Sequence, residues 1–387
     1  MTRSISELRK FVSPEIVFGA GCRHRVGHFV SAFGASKVLI VSDPGVQAAG
    51  WVADIEASLL EQGINFHVFT EVSPNPRAEE VMHGAETYKL HSCNAIVAVG
   101  GGSPMDCAKA IGIVVAHGRS ILEFEGVDTI RLPSPPLILI PTTAGTSADV
   151  SQFVIISNQQ QRMKLSIVSK AVVPDVSLID PETTLTMDSF LAACTGIDAL
   201  VHAIEAFVSI GSGPLTDTHA LEAMRLISGN LIEMIANPTD ILLREKIMLG
   251  SMQAGLAFSN AILGAVHAMS HSLGGYLDLP HGQCNAALIE HVVAFNFDAA
   301  PERFKIIAQT LGIDCRGLSM PEVRQRLIDY LIAFKKAVGF HDSLATYGVN
   351  ISDIPFLSNH AMGDPCILTN PRTSNQRDME VVYGEAL

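Results

Sequence analysis

The chain has 387 residues, of which 48% are hydrophobic and 17% charged, so it suits a well-buried globular protein of two domains and excludes a disordered one. Its net charge, 26 − 39 = −13, sets it against nucleic acid and anionic membrane as partners. Seven scattered cysteines, never spaced as CxxC, exclude a disulfide framework and a thiolate zinc site and point to a reducing, cytoplasmic setting. The N-terminal MTRSISELRKFVSPE lacks the apolar core of a signal peptide. No run of about 18 apolar residues predicts a membrane span.

In chain order, the first half alternates short apolar, β-branched runs with helical stretches. KVLIVS (Lys37–Ser42), INFHVFT (Ile64–Thr70), NAIVAV (Asn94–Val99), PLILI (Pro136–Ile140) and Val176–Ile179 read as strands. Residues 52–62 and 79–91 read as helices between them. Continuous apolar strands separated by helices predict a parallel sheet covered on both faces. After about Thr186 the strand-like runs stop, and long helical patterns take over: 190–209, 215–237, 242–274, 284–297, 301–311, 320–338 and 354–362. The expected organisation is an α/β domain over residues 1–186 and an all-helical domain over residues 187–387, with a ligand site in the cleft facing the carboxyl ends of the strands.

Four motifs carry chemistry. Gly100-Gly101-Gly102-Ser103-Pro104-Met105-Asp106 follows the third strand-like run. Ser103 is an N-cap candidate, Pro104 suits the first helical position and Asp106 the third, which describes a helix N-terminus whose free amides suit a pyrophosphate. The pattern is not GxGxxG, and a well-capped glycine turn is the alternative. Asp43, directly after the first run, could accept a ribose hydroxyl and disfavour a 2′-phosphate, although Asp-Pro-Gly is also an ordinary turn. PTTAGTS (Pro141–Ser147) offers hydroxyls for phosphate or ribose oxygens, or simply a Ser/Thr/Gly connection.

The fourth motif holds histidines. Asp198 and His202 stand four apart on an alanine-rich helix, where each is costly to bury without a partner or a metal. Gly264 to His281 adds His267 and His271, also four apart on one helical face. His281 follows a Gly274-Gly275 break and reads as lying in a loop. Asp198 and His202 joined with His267 and His281 give one carboxylate and three imidazoles, a set that suits a divalent first-row transition metal and not calcium or magnesium.

GGGSPMDCAKAI, PTTAGTSADVS, TGIDALVHAIE, GLAFSNAILGAVHAMSHSLGG with PHGQCNA, and DPCILTNPR together resemble the iron-containing (group III) alcohol dehydrogenases, from about residue 11 to the C-terminus. The resemblance implies a dinucleotide-binding α/β domain, a helical metal-binding domain and a homo-oligomer. It assigns the metal to Asp198, His202, His267 and His281, with iron expected and zinc the alternative that ligand chemistry allows. It makes His271 a further active-site histidine near metal and nicotinamide. It places Asp43, Asn75, Gly101, Gly102, Ser103, Asp106, Thr142, Thr143, Thr146, Phe153 and Lys164 around NAD, and Phe258 and Cys366 by the substrate. One departure is Asp149, where the family usually has Glu.

The implied activity is NAD-linked interconversion of a primary alcohol and its aldehyde, the metal acting as Lewis acid. A glycerol-dehydrogenase-like or dehydroquinate-synthase-like enzyme on the same architecture is the alternative. The third histidine of the ligand set and the lack of a Lys/Arg cluster for a phosphorylated substrate count against it.

Overall fold

The computed structural model describes residues 10–159 and 163–387, so the first nine residues of the N-terminal stretch read above lie outside it. The chain divides into two compact units, one of Val12–Met187 and one of Asp188–Leu387 that also takes in Phe11, stacked on His219 at 5.4 Å.

The first unit contains β1 (Glu15–Phe18), α1 (Val26–Ala32), β2 (Lys37–Val41), α2 (Pro44–Ala48), α3 (Trp51–Glu61), β3 (Asn65–Phe69), α4 (Ala78–Leu90), β4 (Ala95–Gly100), α5 (Gly102–His117), β5 (Gly126–Val127), β6 (Leu137–Pro141), β7 (Phe153–Asn158), β8 (Met163–Val168) and β9 (Val176–Ile179). Six strands form one parallel sheet in the order β1-β9-β6-β4-β2-β3. Its register sets Val41 beside Phe69 and Ala98, and Ala98 beside Leu139.

Alternate residues of these strands feed two cores, because side chains leave a strand on opposite faces. Leu39, Val41, Ile96, Ala98 and Leu139 pack with α4 and α5, while Val38, Ile40, Val97, Val99 and Ile140 pack with α1 and α3. Burial on both faces is why the strands read as unbroken apolar runs. The sequence passes over β1, whose first residue is exposed glutamate, and over a second sheet of order β5-β8-β7. In the latter, β7 and β8 pair antiparallel and carry Ser157, Asn158, Lys164 and Ser166, so no continuous apolar run marks them.

The second unit is helical among its described residues: α6 (Ser189–Val208), α7 (Pro214–Ala236), α8 (Ile241–Ala261), α9 (Ala265–Leu277), α10 (His281–Asn296), α11 (Pro301–Thr310), α12 (Met320–Ala337), α13 (Ile354–Gly363) and α14 (Gln376–Ala386). Asp188 caps α6, its carboxylate accepting from Leu191 N at 2.8 Å. By length and composition α6 would suit a membrane span, yet 94% of its apolar window is buried within the protein.

Three expectations need correction. The single helix over 242–274 is two, α8 and α9, bent by 101° at the break between Ala261 and Ala265. Ile262 turns the chain there at φ 62°, a left-handed value that a β-branched residue rarely adopts, so its residue type gave no sign of a stop. Gly274-Gly275 does not break a helix; α9 runs through both and stops at Leu277, after which Asp278 takes φ 54°. His281 is therefore not in a loop. Pro280 ends the connection as N-cap, and His281 is the first residue of α10.

Candidate functional site

In the helical unit, a helical repeat of four puts Asp198 and His202 on one face of α6, His267 rises from the first turn of α9, and His281 opens α10. These elements converge on one atom. Asp198 Oδ1 lies 3.6 Å from His202 Nε2, 3.4 Å from His267 Nε2 and 3.5 Å from His281 Nε2. Ligand atoms of Asp198, His267 and His281 all lie within 4.8 Å of one another, a spacing one metal ion can span, and His202 joins them through its 3.6 Å approach to Asp198. His267 Nε2 is buried and makes no hydrogen bond, which fits a ligand atom and costs stability otherwise. The residues present therefore fit a divalent transition metal.

Opposite charges gather on these same atoms, so an ion that binds here displaces protons. Burial pushes the Asp198 carboxyl up, but the three imidazoles outweigh it and hold the group far below the usual carboxylate range. Burial pulls His267 down, yet Asp198 and Glu205 reverse this and lift it to about 9. Asp198, His202 and His267 are all under 5% exposed. His202 is sandwiched between rings, His267 at 4.5 Å on one side and Phe258 at 4.2 Å on the other. Phe258, expected by the substrate, thus packs directly on a candidate ligand.

His271 stands apart from the donor set. Its Nδ1 is held at 2.8 Å by Asp364 Oδ2, and its ring stacks on His281 at 5.2 Å. Burial raises Asp364, but His271 outweighs it and holds the carboxyl below its ordinary value. The other Asp364 oxygen accepts from Cys366 N at 2.8 Å, so Cys366 joins His271 through this carboxylate. Burial pushes the Cys366 thiol well up, which leaves it a neutral, apolar wall.

Several residues of this site escaped the sequence reading. Asn285, one turn after His281 on α10, donates to Asp198 Oδ1 at 2.8 Å. Glu205, on the face of α6 that carries Asp198 and His202, lies 2.7 Å from His267 Nδ1. Asn370 accepts from Ala265 N at 3.1 Å and pairs with Asn296 through both amides at 2.8 Å. The spacing of 198, 202 and 205 was a visible signal. The asparagines gave none, since their partners are distant in sequence.

In the α/β unit, β2, β4 and β6 are neighbours, and the chain reverses its direction of travel across the sheet between β2 and β4. The carboxyl ends at such a switch point are where doubly wound folds bind ligands. Asp43, Gly101-Gly102 and Thr142–Thr146 follow these three strands. Ser42 Oγ donates to Val99 O at 2.8 Å and Thr142 N to Gly100 O at 2.8 Å, which ties the loops together.

The helix start differs from expectation. Gly101, not Ser103, is the N-cap of α5, so Ser103 is its second residue and Pro104 its third. Glycine supplies no capping side chain, and the first-turn amides remain for a ligand. Ser103 Oγ instead accepts from Asn75 N at 3.3 Å, and Asn75 Oδ1 accepts from Lys164 Nζ at 2.8 Å. A Cβ on Gly102 would sit 3.0 Å from Thr146 Cγ2, so glycine keeps the two loops close. Thr143 Oγ1 and Thr146 Oγ1 are buried without a hydrogen-bond partner.

Asp43 caps α2 by accepting from Val46 N at 2.9 Å with one oxygen. Asp106 accepts from Ile155 N at 3.2 Å, and burial pushes its carboxyl up while Lys109 holds it down in part. Lys109, also missed, is buried and donates to Ser151 O at 2.8 Å and Phe153 O at 3.0 Å, pinning the end of the threonine loop and the start of β7. The shorter Asp149 finds a partner in Ser177 Oγ at 3.0 Å.

Residues 13–181 match the family described as iron-containing alcohol dehydrogenase, and residues 192–387 match the C-terminal part of the Fe-containing alcohol dehydrogenase family. The chain is 37% identical over 377 residues to the NAD-dependent methanol dehydrogenase of Bacillus methanolicus, covering 97% of this chain and 99% of that one. It is 38% identical over 371 residues to the 1,3-propanediol dehydrogenase of Citrobacter freundii, covering 95% and 96%. The crystal structure of a 1,3-propanediol oxidoreductase shares the fold at TM-score 0.96 and 36% identity, over 98% of this chain and 100% of that one. With both halves matched in order, the chain belongs to the iron-containing alcohol dehydrogenase family.

Proposed function

We infer that the protein interconverts a short primary alcohol and its aldehyde with NAD as redox partner, using ferrous iron held by Asp198, His202, His267 and His281. The observation that carries this is the convergence of three Nε2 atoms on Asp198 Oδ1 at 3.4–3.6 Å. A divalent ion supplies Lewis acidity toward an alcohol oxygen, offset by one carboxylate only, and NAD supplies the hydride acceptor.

The chain's own residues do the rest. His271, oriented by Asp364, presents Nε2 to hold or pass on the hydroxyl proton. Phe258 and the neutral Cys366 thiol offer apolar walls that favour short substrates, in line with relatives named for methanol and 1,3-propanediol. The second oxygen of Asp43 accepts from a ribose hydroxyl and repels a 2′-phosphate, which favours NAD over NADP. Amides at the start of α5 and the hydroxyls of Thr143 and Thr146 receive the pyrophosphate. Asn75, Ser103 and Lys164 form one connected cluster that borders it. Thr142, Asp106 and Phe153 shape the same loops.

The test is NADH formation by the purified protein with methanol, ethanol, 1-propanol and 1,3-propanediol, with Fe²⁺ or Zn²⁺ added. Turnover that depends on the metal and falls with chain length supports the reading. No turnover of any short alcohol or aldehyde with either metal removes it. Iron over zinc is decided by metal analysis after anaerobic purification, because zinc binds such a set more tightly and only supply and geometry can favour iron. We further place the protein in the cytoplasm, supported by seven free and buried cysteines, and expect a homo-oligomer, measured by sedimentation.

A further inference from the structure

Glu205 is 3% exposed, and a buried carboxylate is retained only where hydrogen bonds compensate it. It accepts from Val266 N at 2.6 Å, Gly264 N at 3.1 Å, His267 N at 3.4 Å and His267 Nδ1 at 2.7 Å. We propose that Glu205 is the positioning residue of the metal site: it sets the ring orientation and tautomer of His267 and fixes the start of α9 against α6. The proposal rests on the metal reading above and extends it to a residue that touches neither metal nor substrate.

Three observations carry it. First, the N-cap of α9 is Gly264, which has no side chain to cap the helix, so its leading amides would be orphaned. Glu205 reaches across from α6 and accepts them, while Asn370 Oδ1 takes Ala265 N. Second, a carboxylate can only accept, so the proton on His267 must sit on Nδ1. The lone pair is then on Nε2, the atom 3.4 Å from Asp198 Oδ1. Third, the fit is close. A Cβ on Gly264 would lie 2.9 Å from Glu205 Oε1 and 3.0 Å from Asn370 Oδ1. Residues 198, 202 and 205 share one stripe of α6, so a single helix supplies two donors and the group that aims a third.

Glu205→Gln keeps the shape and replaces one acceptor with an NH₂ group. That group must face either the α9 amides, donor against donor, or His267 Nδ1, which then has to accept and carry its proton on Nε2. Either outcome weakens the site. Losing such outer support typically lowers metal affinity 10–100-fold.

The test is Zn²⁺ affinity of the full-length protein by chelator competition for wild type, E205Q, H267A and E205Q/H267A. Expected is a loss of about 10–100-fold for E205Q. In the H267A background, E205Q should weaken binding no further, because its effect runs through that ring. Wild-type affinity in E205Q, or an equal loss in both backgrounds, overturns the proposal. Wild-type protein that binds no divalent ion overturns the metal reading itself and this inference with it. Should E205Q not fold, ¹⁵N-histidine spectra of the zinc-loaded wild type decide: a proton on His267 Nδ1 supports the assignment, and one on Nε2 refutes it.

Discussion

The glycine after His281 is as informative as the histidine. Gly282 lies against Cys194 on α6, and a Cβ at residue 282 would sit 2.0 Å from Cys194 O, 2.5 Å from its C and 2.8 Å from its Cα. All three are main-chain atoms, so no rotamer relieves the clash. Reaching even 3.0 Å requires the start of α10 to move about 1 Å away from α6. That junction joins two of the four candidate donors, Asp198 and His202 on α6, to a third, His281 on α10, whose neighbour Asn285 bonds Asp198. Metal–ligand distances tolerate only ~0.2 Å, so a 1 Å displacement pulls His281 out of the donor set. Overpacking of this kind costs about 1–3 kcal/mol. Gly282→Ala is therefore expected to lose about 1–3 kcal/mol of stability in urea unfolding with EDTA present. Its Zn²⁺ affinity should fall at least ~10-fold by chelator competition, the lower end for a disturbed outer contact, since here a donor itself moves. A variant that loses stability but binds zinc as wild type would show the site to be far softer than argued. Wild-type values in both would refute the close approach altogether.

Three other outcomes follow from the same geometry. Lys109→Met leaves the buried carbonyls of Ser151 and Phe153 without their donor, so urea unfolding should show a loss of about 1–3 kcal/mol. Less than 1 kcal/mol would mean the ammonium does not anchor that loop. Thr143→Val and Thr146→Val remove buried hydroxyls that lack partners, so cofactor-free stability should change by less than about 1 kcal/mol while NADH binding weakens by roughly 5–10-fold at each position. Fluorescence titration reads the second quantity, and an unchanged NADH affinity would exclude these hydroxyls from the cofactor site. Saturating the metal-stripped protein with Zn²⁺ at about 100 times its dissociation constant should add about 2.7 kcal/mol to folding stability. At the same Zn²⁺ concentration the gain should be sharply reduced in His267→Ala, whose weaker residual binding chelator competition still reads, and a melting temperature that ignores both metal and mutation would argue against these four donors as one site.

The sequence disclosed what one environment imposes on a residue and hid what two distant segments impose on each other. The strands β2, β4, β6 and β9 were legible because burial on both faces demands unbroken apolar runs. The β7–β8 hairpin, half polar, had no such mark. The candidate donors at 198, 202, 267 and 281 stood out in the sequence because metal chemistry restricts residue type to His, Cys, Asp or Glu, and the fold brings them together. Their supports are under a weaker constraint. The amides at the start of α9 need an acceptor, and nothing in Gly264 or its neighbours says that it will come from Glu205, 59 residues upstream. Asn285 was hidden by a different step. With His281 read in a loop and the helix starting only at 284, residues 281 and 285 share no helical turn; once α10 begins at His281, residue 285 falls one turn along, in reach of Asp198. The bend at Ile262 was least legible of all. A β-branched residue at φ 62° contradicts its local preference and holds only because surrounding contacts outweigh the strain. Among these contacts are the bonds from Glu205 and Asn370 to the first turn of α9. The strained turn and the aimed histidine thus lie on either side of the amides that Glu205 and Asn370 hold, and a change at Glu205 should disturb His267 first.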